Sequence, residues 1–393
     1  MILGGCTLFL ILFLIIERLL LNRSVRLIPL RICVTGTRGK STVVRFLASS
    51  LREAGLSVMA KTTGSKPRII YPKGEEREIS RRGSPSILEG KRFLKEAAQH
   101  QVQVVVSEMM SIQPESHFIE SQRILNPHVL VITNVRCDHL AQMGGSREEI
   151  ASCIASSIPK EGTIFVPEEE FFSIFGEWAK KLHSRVIQIP GESIDRNKRS
   201  QTRSLLPEFD ENISLSLEVT HFLGVKKEVA WKGIAQAQPD FGSPQAWRVE
   251  TGSPPKSWLC VSCFAANDPQ STRKVVDEVE RKKWARGRNF IGLLSLREDR
   301  GDRTLQWING LKKGTFSGFE KIYIVGRHAR VVKRILRNTW GEKLEVLKER
   351  DPQGIMDHLQ TEMDERAVLV GMGNIGGLGE RMVGYWRETG KPV

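Results

Sequence analysis

The chain has 393 residues, 40% of them apolar and 26% charged. That excludes a disordered polymer and allows two or three domains with cores of their own. A net charge of +14 favours an acidic partner, whether nucleic acid, anionic lipid or an acidic substrate. The cysteines at 6, 33, 137, 153, 260 and 263 are too scattered for a disulfide framework and point to a reducing compartment. Cys260 and Cys263 form a close pair but lack the second pair that a zinc site of this kind needs.

The chain opens on "MILGGCTLFLILFLII", followed by Arg18, Arg23, Arg26 and Arg31. Continued through Leu21, this stretch predicts a marginal membrane-spanning helix, since a span takes about 20 residues. It lacks the leading positive charge and the small-residue cleavage site of a secretory signal. Arginines on its C-terminal side predict a single anchor at the cell membrane with the bulk of the chain in the cytoplasm. The alternative is a buried core helix.

Beyond it, "RICVTG" predicts a strand, "KSTVVRFLASSLREAG" a helix ending at Gly55, and "LSVMAKTTG" a strand and loop. The basic stretch 64–83, with Lys66, Arg68, Lys73, Arg77, Arg81 and Arg82, reads as a loop or small hairpin. It is either a solvated surface or a guide for a polyanion. A helix with Ser84 and Pro85 at its start precedes the strands "VQVVVSEM" and "PHVLVITNV". A strand–helix–strand unit (161–189) and a helical pair (210–234) follow. Prolines and glycines at 238–256 mark a boundary, after which a second strand–helix series begins. Alternating elements with apolar strands predict an α/β chain of doubly wound parallel sheets. The expected division is an anchor at 1–21, a P-loop-type ATP-binding domain at 30–250 and a Rossmann-like α/β domain at 256–393.

The chemistry gathers at strand ends. "TGTRGKST" departs from the standard phosphate loop, because Val34 stands at its first glycine position. It retains Gly36, Thr37, Arg38, Gly39, Lys40, Ser41 and Thr42 between a strand and a helix, where backbone amides attract phosphate. Lys40 would neutralise phosphate oxygens and Ser41 would place its hydroxyl on Mg²⁺; a glycine turn that only starts a helix is the plainer alternative. Ser107 and Glu108 end one apolar strand, and Thr133, Asn134, Asp138 and His139 follow another. In a parallel sheet these ends share the edge of the phosphate loop. There Glu108 and His139 are either metal ligands or, respectively, an exposed strand end and a structural imidazole. Arg297, Arg300 and Arg303 are either phosphate contacts or a solvated charged loop. "GMGNIGGLG" is a weak dinucleotide look-alike, read as strand–turn–helix without NAD.

The combination of T-G-T-x-G-K-S-T, the strand-end Glu108 and the box Thr133-Asn134…Asp138-His139 resembles the Mur ligase superfamily, over roughly residues 31–393. "TNVRCDHLAQMG", "CFAANDPQST", the closing "GMGNIGGLGERMVGYW" and the N-terminal apolar segment are similar to the ligase subunits of bacterial poly-γ-glutamate synthases. That resemblance implies an ATP-dependent amide ligase. A substrate carboxylate takes the γ-phosphate of ATP, and an amine then displaces phosphate. It implies Lys40, Glu108 and His139 as catalytic residues. Ser41 would hold one Mg²⁺, and Glu108 with His139 a second. Asn134, Asn267, Asp268, Arg297 and Arg300 would join the phosphate loop around ATP. Expected partners are glutamate, the growing poly-γ-glutamate, a membrane and other subunits of a synthesis and export complex; self-association stays open and nucleic acid is not expected. Two positions depart from the superfamily. Ile154 stands where many members carry a carbamylated lysine, and Phe264 stands where relatives place an aspartate before their ribose motif. The alternatives are a folylpolyglutamate or peptidoglycan type of ligase, or a membrane-linked nucleic-acid-binding NTPase, for which aromatic base-stacking signals are missing.

Overall fold

A computed structural model describes residues 2–64, 66–81, 83–167, 171–190, 210–251, 256–364 and 366–393. The chain divides into two units between Asp240 and Phe241. The first unit runs through α1 (Ile2–Leu27), β1 (Leu30–Thr35), α2 (Lys40–Glu53) and β2 (Val58–Lys61). Next come β3 (Arg68–Ile70), β4 (Glu76–Glu78), α3 (Glu89–Gln99) and β5 (Val104–Glu108). The helix α4 (Pro114–Phe118) continues in wider turns through Leu125. It is followed by β6 (Val129–Ile132), α5 (Leu140–Met143), α6 (Arg147–Ala155), β7 (Thr163–Pro167), α7 (Phe172–Lys181) and β8 (Arg185–Ile189). The unit closes with the pair α8 (Asp210–Phe222) and α9 (Lys227–Gln236).

Its strands form one sheet in the order β4-β3-β2-β5-β1-β6-β7-β8, parallel from β2 to β8. The basic stretch supplies an antiparallel hairpin at the edge. Alternating side chains sort the core into two layers. Ile32 and Val34 pack with Val43, Leu47, Leu215 and Ala230 on the face covered by α2, α8 and α9. Cys33 packs with Phe93, Leu125, Ile150 and Phe175 on the other. β1 lies between β5 and β6, with Val34 opposite both Glu108 and Val131. The ends Thr35, Glu108 and Ile132 therefore open on one edge. The helix expected from Ser84 starts only at Glu89, because the Ser86 hydroxyl accepts from the Leu88 amide and holds a turn there.

The N-terminal segment corrects the sequence expectation. Among the described residues no helix is long and apolar enough to cross a membrane. Residues 2–16 rise only roughly 22 Å at 1.5 Å per residue, against a hydrocarbon core of about 30 Å, before Glu17 and Arg18 interrupt the run. The helix also does not stop at residue 21 as a separate module. Glu17 pairs with Lys91 at 2.8 Å, Arg18 donates to the Arg123 carbonyl, and Leu21, Val25 and Ile28 enter the core. Arg31, expected among the arginines flanking a membrane, is buried. Its guanidinium donates to the Val25 and Ile28 carbonyls at 2.8 and 2.7 Å, which closes off the helix C-terminus. Residues 8–16, in contrast, leave their large apolar side chains exposed.

The second unit contains β9 (Gln245–Thr251), β10 (Lys256–Ser262), α10 (Pro269–Glu280), β11 (Asn289–Ser295), α11 (Gly301–Lys312), β12 (Lys321–Val325) and α12 (Ala329–Trp340). It ends with β13 (Leu344–Val346), α13 (Pro352–Glu362), β14 (Ala367–Gly373), α14 (Glu380–Thr389) and β15 (Gly390–Pro392). The sheet order is β13-β12-β11-β14-β10-β9-β15, parallel from β13 to β10. β9 falls on the first-domain side of a break at 250, yet it pairs antiparallel with β10 and joins this second sheet. Trp258, Trp307 and Trp386 are fully buried in it.

Removing residues 2–16 is expected to leave the stability of the rest unchanged, since the large apolar side chains of residues 8–16 are exposed. Ile28→Ala is expected to cost about 2–5 kcal/mol, the usual loss for a buried isoleucine. Denaturant melts of the two variants check this, and equal losses would contradict the division at Glu17.

Candidate active site

The phosphate loop is held from its own sheet. The Thr37 amide and hydroxyl donate to the Asn134 carbonyl (3.1 Å) and Oδ1 (2.8 Å). The Arg38 amide donates to the same Oδ1 at 3.0 Å, and Asn134 Nδ2 returns a bond to the Arg38 carbonyl. Thr133 Oγ1 donates to that carbonyl at 2.6 Å. Gly36 (φ 120°) and Gly39 (φ 78°) take backbone conformations that L side chains resist. A Cβ on Gly36 would run into Thr133 Oγ1, and one on Gly39 into the Asn212 amide of α8. Asn134, expected to touch ATP, is thus the clamp that shapes the loop. Asn212 was not among the expected residues, since nothing in its helical context signals contact with a loop so distant in sequence.

At the start of α2, Lys40 Nζ folds back onto the Gly36 carbonyl at 2.7 Å. Burial pulls its ammonium below the ordinary lysine range, while the Glu108 and Asp138 carboxylates oppose that shift. Ser41 Oγ donates to Glu108 Oε2 at 2.7 Å, and the Thr63 amide donates to the same oxygen. The first amides of α2 have no partner within the helix, which makes this end an anion site. Phosphate-loop lysine, metal-type hydroxyl and strand-end carboxylate are therefore brought together as expected from the sequence. Asp138 is buried and lies 3.5 Å from Arg38 Nη2. His139 precedes α5 in a left-handed backbone conformation (φ 47°), its amide donating to Asp138 Oδ1. Among the described residues no three His, Cys, Asp or Glu side chains converge as a metal cluster. Ile154 is buried in α6.

In the second unit, Asn267 adopts a left-handed conformation. Asp268 accepts from the Ser271 amide and caps α10, with Pro269 at the first helical position. That role was readable from D-P-x-S. Arg303 Nη1 donates to both Asn267 Oδ1 (3.0 Å) and Asn374 Oδ1 (3.1 Å), so the N-D-P turn and the "GMGNIGG" turn share one arginine. Arg297 and Arg300 are engaged with Asp299 and Asp302. Phe264 is fully buried, stacked on Trp386 and against Gly371 and Gly379, whose missing side chains make room for it. A charged aspartate in its place would be buried among apolar neighbours.

The fold and the loop define an α/β nucleotide-binding protein with a strand–phosphate loop–helix at its centre. Residues 34–220 match the Mur ligase middle domain and residues 249–389 the poly-gamma-glutamate synthase CapB C-terminal domain. The chain is 30% identical over 373 residues to the PGA synthase CapB of Bacillus subtilis (strain 168), covering 94% of this chain and 93% of that one. It is 34% identical over 308 residues to the capsule biosynthesis protein CapB of Bacillus anthracis, covering 78% of this chain and 65% of that protein. Among solved structures, a bifunctional folylpolyglutamate synthase/dihydrofolate synthase from Yersinia pestis superposes with a TM-score of 0.68 at 15% identity, covering 94% of this chain and 92% of that one. MurF from Acinetobacter baumannii gives 0.67 at 17%, covering 94% and 79%. The chain belongs to the CapB family, with a Mur ligase-like fold.

One buried group near Lys40 titrates far from its usual range. His117 of α4 is buried with neither ring nitrogen hydrogen-bonded. Burial, then the Lys40 charge, push its pKa from 6.5 to about 3. In this window the unfolded chain binds a proton that the folded chain refuses, so stability falls as pH drops from about 6.5 towards about 3. Burial raises Glu120, whose effect has the opposite sign and is common to parent and variant. Thermal melts of His117→Leu across this range are expected to show a shallower acid decline than the parent. Parallel curves would mean that His117 is not the group responsible.

Proposed function

We propose that this chain is an ATP-dependent amide ligase that extends poly-γ-glutamate. The observation that carries the reading is the Ser41–Glu108 contact beside Lys40, at the end of a phosphate loop clamped by Thr133 and Asn134. It is a set of cations, amides and hard oxygen donors. Such a set suits phosphoryl transfer, in which positioning and charge stabilisation do most of the work. The substrate carboxylate supplies the nucleophile. Its oxygen bonds to the γ-phosphorus as the bond to ADP breaks. The amine of the next unit then bonds to the acyl carbon, phosphate leaves, and the ammonium proton passes to solvent. Lys40 exchanges its Gly36 carbonyl for phosphate oxygens, whose negative charge offsets the burial that disfavours its ammonium form. The α2 amides orient the same phosphate.

The donors present fit Mg²⁺, which favours oxygen ligands and binds through one or two carboxylates plus phosphates and water. Ser41 and Glu108 would hold it, with His139 the candidate for a second ion, and the metal would neutralise charge on the transferring group. The Yersinia pestis neighbour is described with AMPPNP and Mn ion, which supports a nucleotide and a divalent metal here. The family likeness and the net charge of +14 support an acidic polymer as substrate.

The same reading holds the chain at the cytoplasmic face of a membrane, beside partner subunits that take up the product. Its support is the exposed apolar run at residues 8–16, with Arg18, Arg23 and Arg26 after it. Without the length to span, this segment would lie in the interface and not cross it.

Given ATP, Mg²⁺ and glutamate, the full chain with its membrane partners is expected to release ADP and phosphate and to form γ-linked oligomers visible by mass spectrometry. Lys40→Ala and Glu108→Ala are each expected to lower that turnover by at least about a hundredfold, as for loss of a group stabilising transition-state charge. Retained ligation in Lys40→Ala would remove the phosphate assignment. The membrane reading is checked by co-sedimentation: the full chain is expected to pellet with anionic vesicles, and the chain lacking residues 2–16 to stay in solution. Equal partition of both would overturn it.

A further inference from the structure

A cavity of about 430 Å³ opens on the α2 face of the first unit, away from the phosphate loop. It is walled by Arg45, Ser49, Arg52 and Glu53 of α2, by Ile70, Pro72, Lys73, Gly74 and Glu76 of the β3–β4 hairpin, and by residues 236–238 after α9. Ser41, Arg45, Ser49 and Arg52 follow helical spacing, so one face of α2 carries a polar track. The track runs roughly 16 Å at 1.5 Å per residue, from the hydroxyl that meets Glu108 to the cavity.

The charges along this track are not equivalent. Arg45 is buried and spoken for, since its guanidinium binds both Glu76 carboxylate oxygens and lies 3.4 Å from Asp240. Arg52 differs: its Nη1 is buried with no hydrogen-bond partner. An orphaned guanidinium nitrogen is costly, and a planar carboxylate is the ligand that its fork matches. Lys73 lies exposed in the hairpin turn and adds a second cation. Glu53 is the acidic wall residue not paired with Arg45. The other described basic residues of the stretch are occupied elsewhere: Arg77 by Glu96, Arg81 by Glu89 and Arg68 by Glu78, while Lys66 is engaged as well and does not line the cavity. Arg82 lies outside the described residues. The polyanion guide expected of the whole basic stretch therefore narrows to this cavity.

We propose that the cavity seats an α-carboxylate of the γ-linked glutamyl chain, on Arg52 and Lys73, some units away from the reacting end. The proposal rests on the ligase reading above. Its consequence is a preference for oligomers over free glutamate, because only a chain reaches from the Ser41 end of α2 to Arg52.

The test is calorimetric titration of the full chain with tri-γ-glutamate, with free glutamate and with AMPPNP, in the absence of turnover. Arg52→Gln is expected to weaken tri-γ-glutamate binding about tenfold, as for loss of a hydrogen bond to a charged group. Arg52→Lys is expected to recover part of that affinity, and AMPPNP binding to stay at the parent value. Lys73→Gln, on an exposed turn that cannot disturb the core, is expected to weaken the oligomer by a smaller factor. The inference is overturned if oligomer affinity is unchanged in Arg52→Gln or, where that variant loses the parent melt, in Lys73→Gln. A change confined to free glutamate would also overturn it. Because binding is read without ATP hydrolysis, a parent that binds the oligomer through Arg52 yet forms no amide would sink the ligase reading alone.

Discussion

Asn134 and Thr133, just after β6, fix the shape of the phosphate loop. A loop rich in glycine has no preferred conformation of its own, and its amides point at a phosphate only when something fixes them. Here the Asn134 Oδ1 takes the Thr37 hydroxyl and the Arg38 amide, while its Nδ2 and Thr133 bind the Arg38 carbonyl. The parallel register that sets β1 between β5 and β6 is what brings these groups to the loop. The same register sets Glu108 against Ser41. Loop shape, metal-type donors and the start of α2 all follow from that one arrangement of three strands.

The helix that begins at this loop carries charge well beyond its first turn. Arg45 is nearly as buried as a core leucine, which is tolerable only because Glu76 and Asp240 both answer its charge. These carboxylates come from a hairpin far upstream of α8 and from the chain after α9. The ion pair thereby ties the sheet edge to the helical layer. The cost of burial is offset there, whereas Arg52, two turns further along the same face, keeps one buried nitrogen without a hydrogen-bond partner. Gly233 of α9 packs directly against the Ser49–Ser50 backbone and so fixes this end of α2 against the helical layer.

Much of this was legible before the structure. The strand–loop–helix of residues 31–53 and the apolar strands ending at Glu108 and Thr133 rest on local signals that act within a few residues. The N-terminal helix was legible as a helix but not in its extent. Apolarity read along the chain marks residues 2–16 as unlike the rest, but it cannot say that Leu21, Val25 and Ile28 find a partner layer or that Arg31 is turned inward to close the helix. Assigning β9 to the second sheet likewise required its pairing with β10, which composition near residue 250 does not reveal.

The sequence by itself determined which elements form and which residue types stand at their ends, because helix periodicity, strand alternation and glycine punctuation are short-range properties. Only the tertiary structure decided what those ends do. Asn134 became a clamp, Arg303 a bridge between two turns, and Phe264 a core residue stacked on Trp386. Each of these outcomes depends on a partner tens of residues away or more. Hydrogen bonds and ion pairs of this kind exist only once the sheet order has put strand ends side by side, and no pattern along one stretch of chain carries that information.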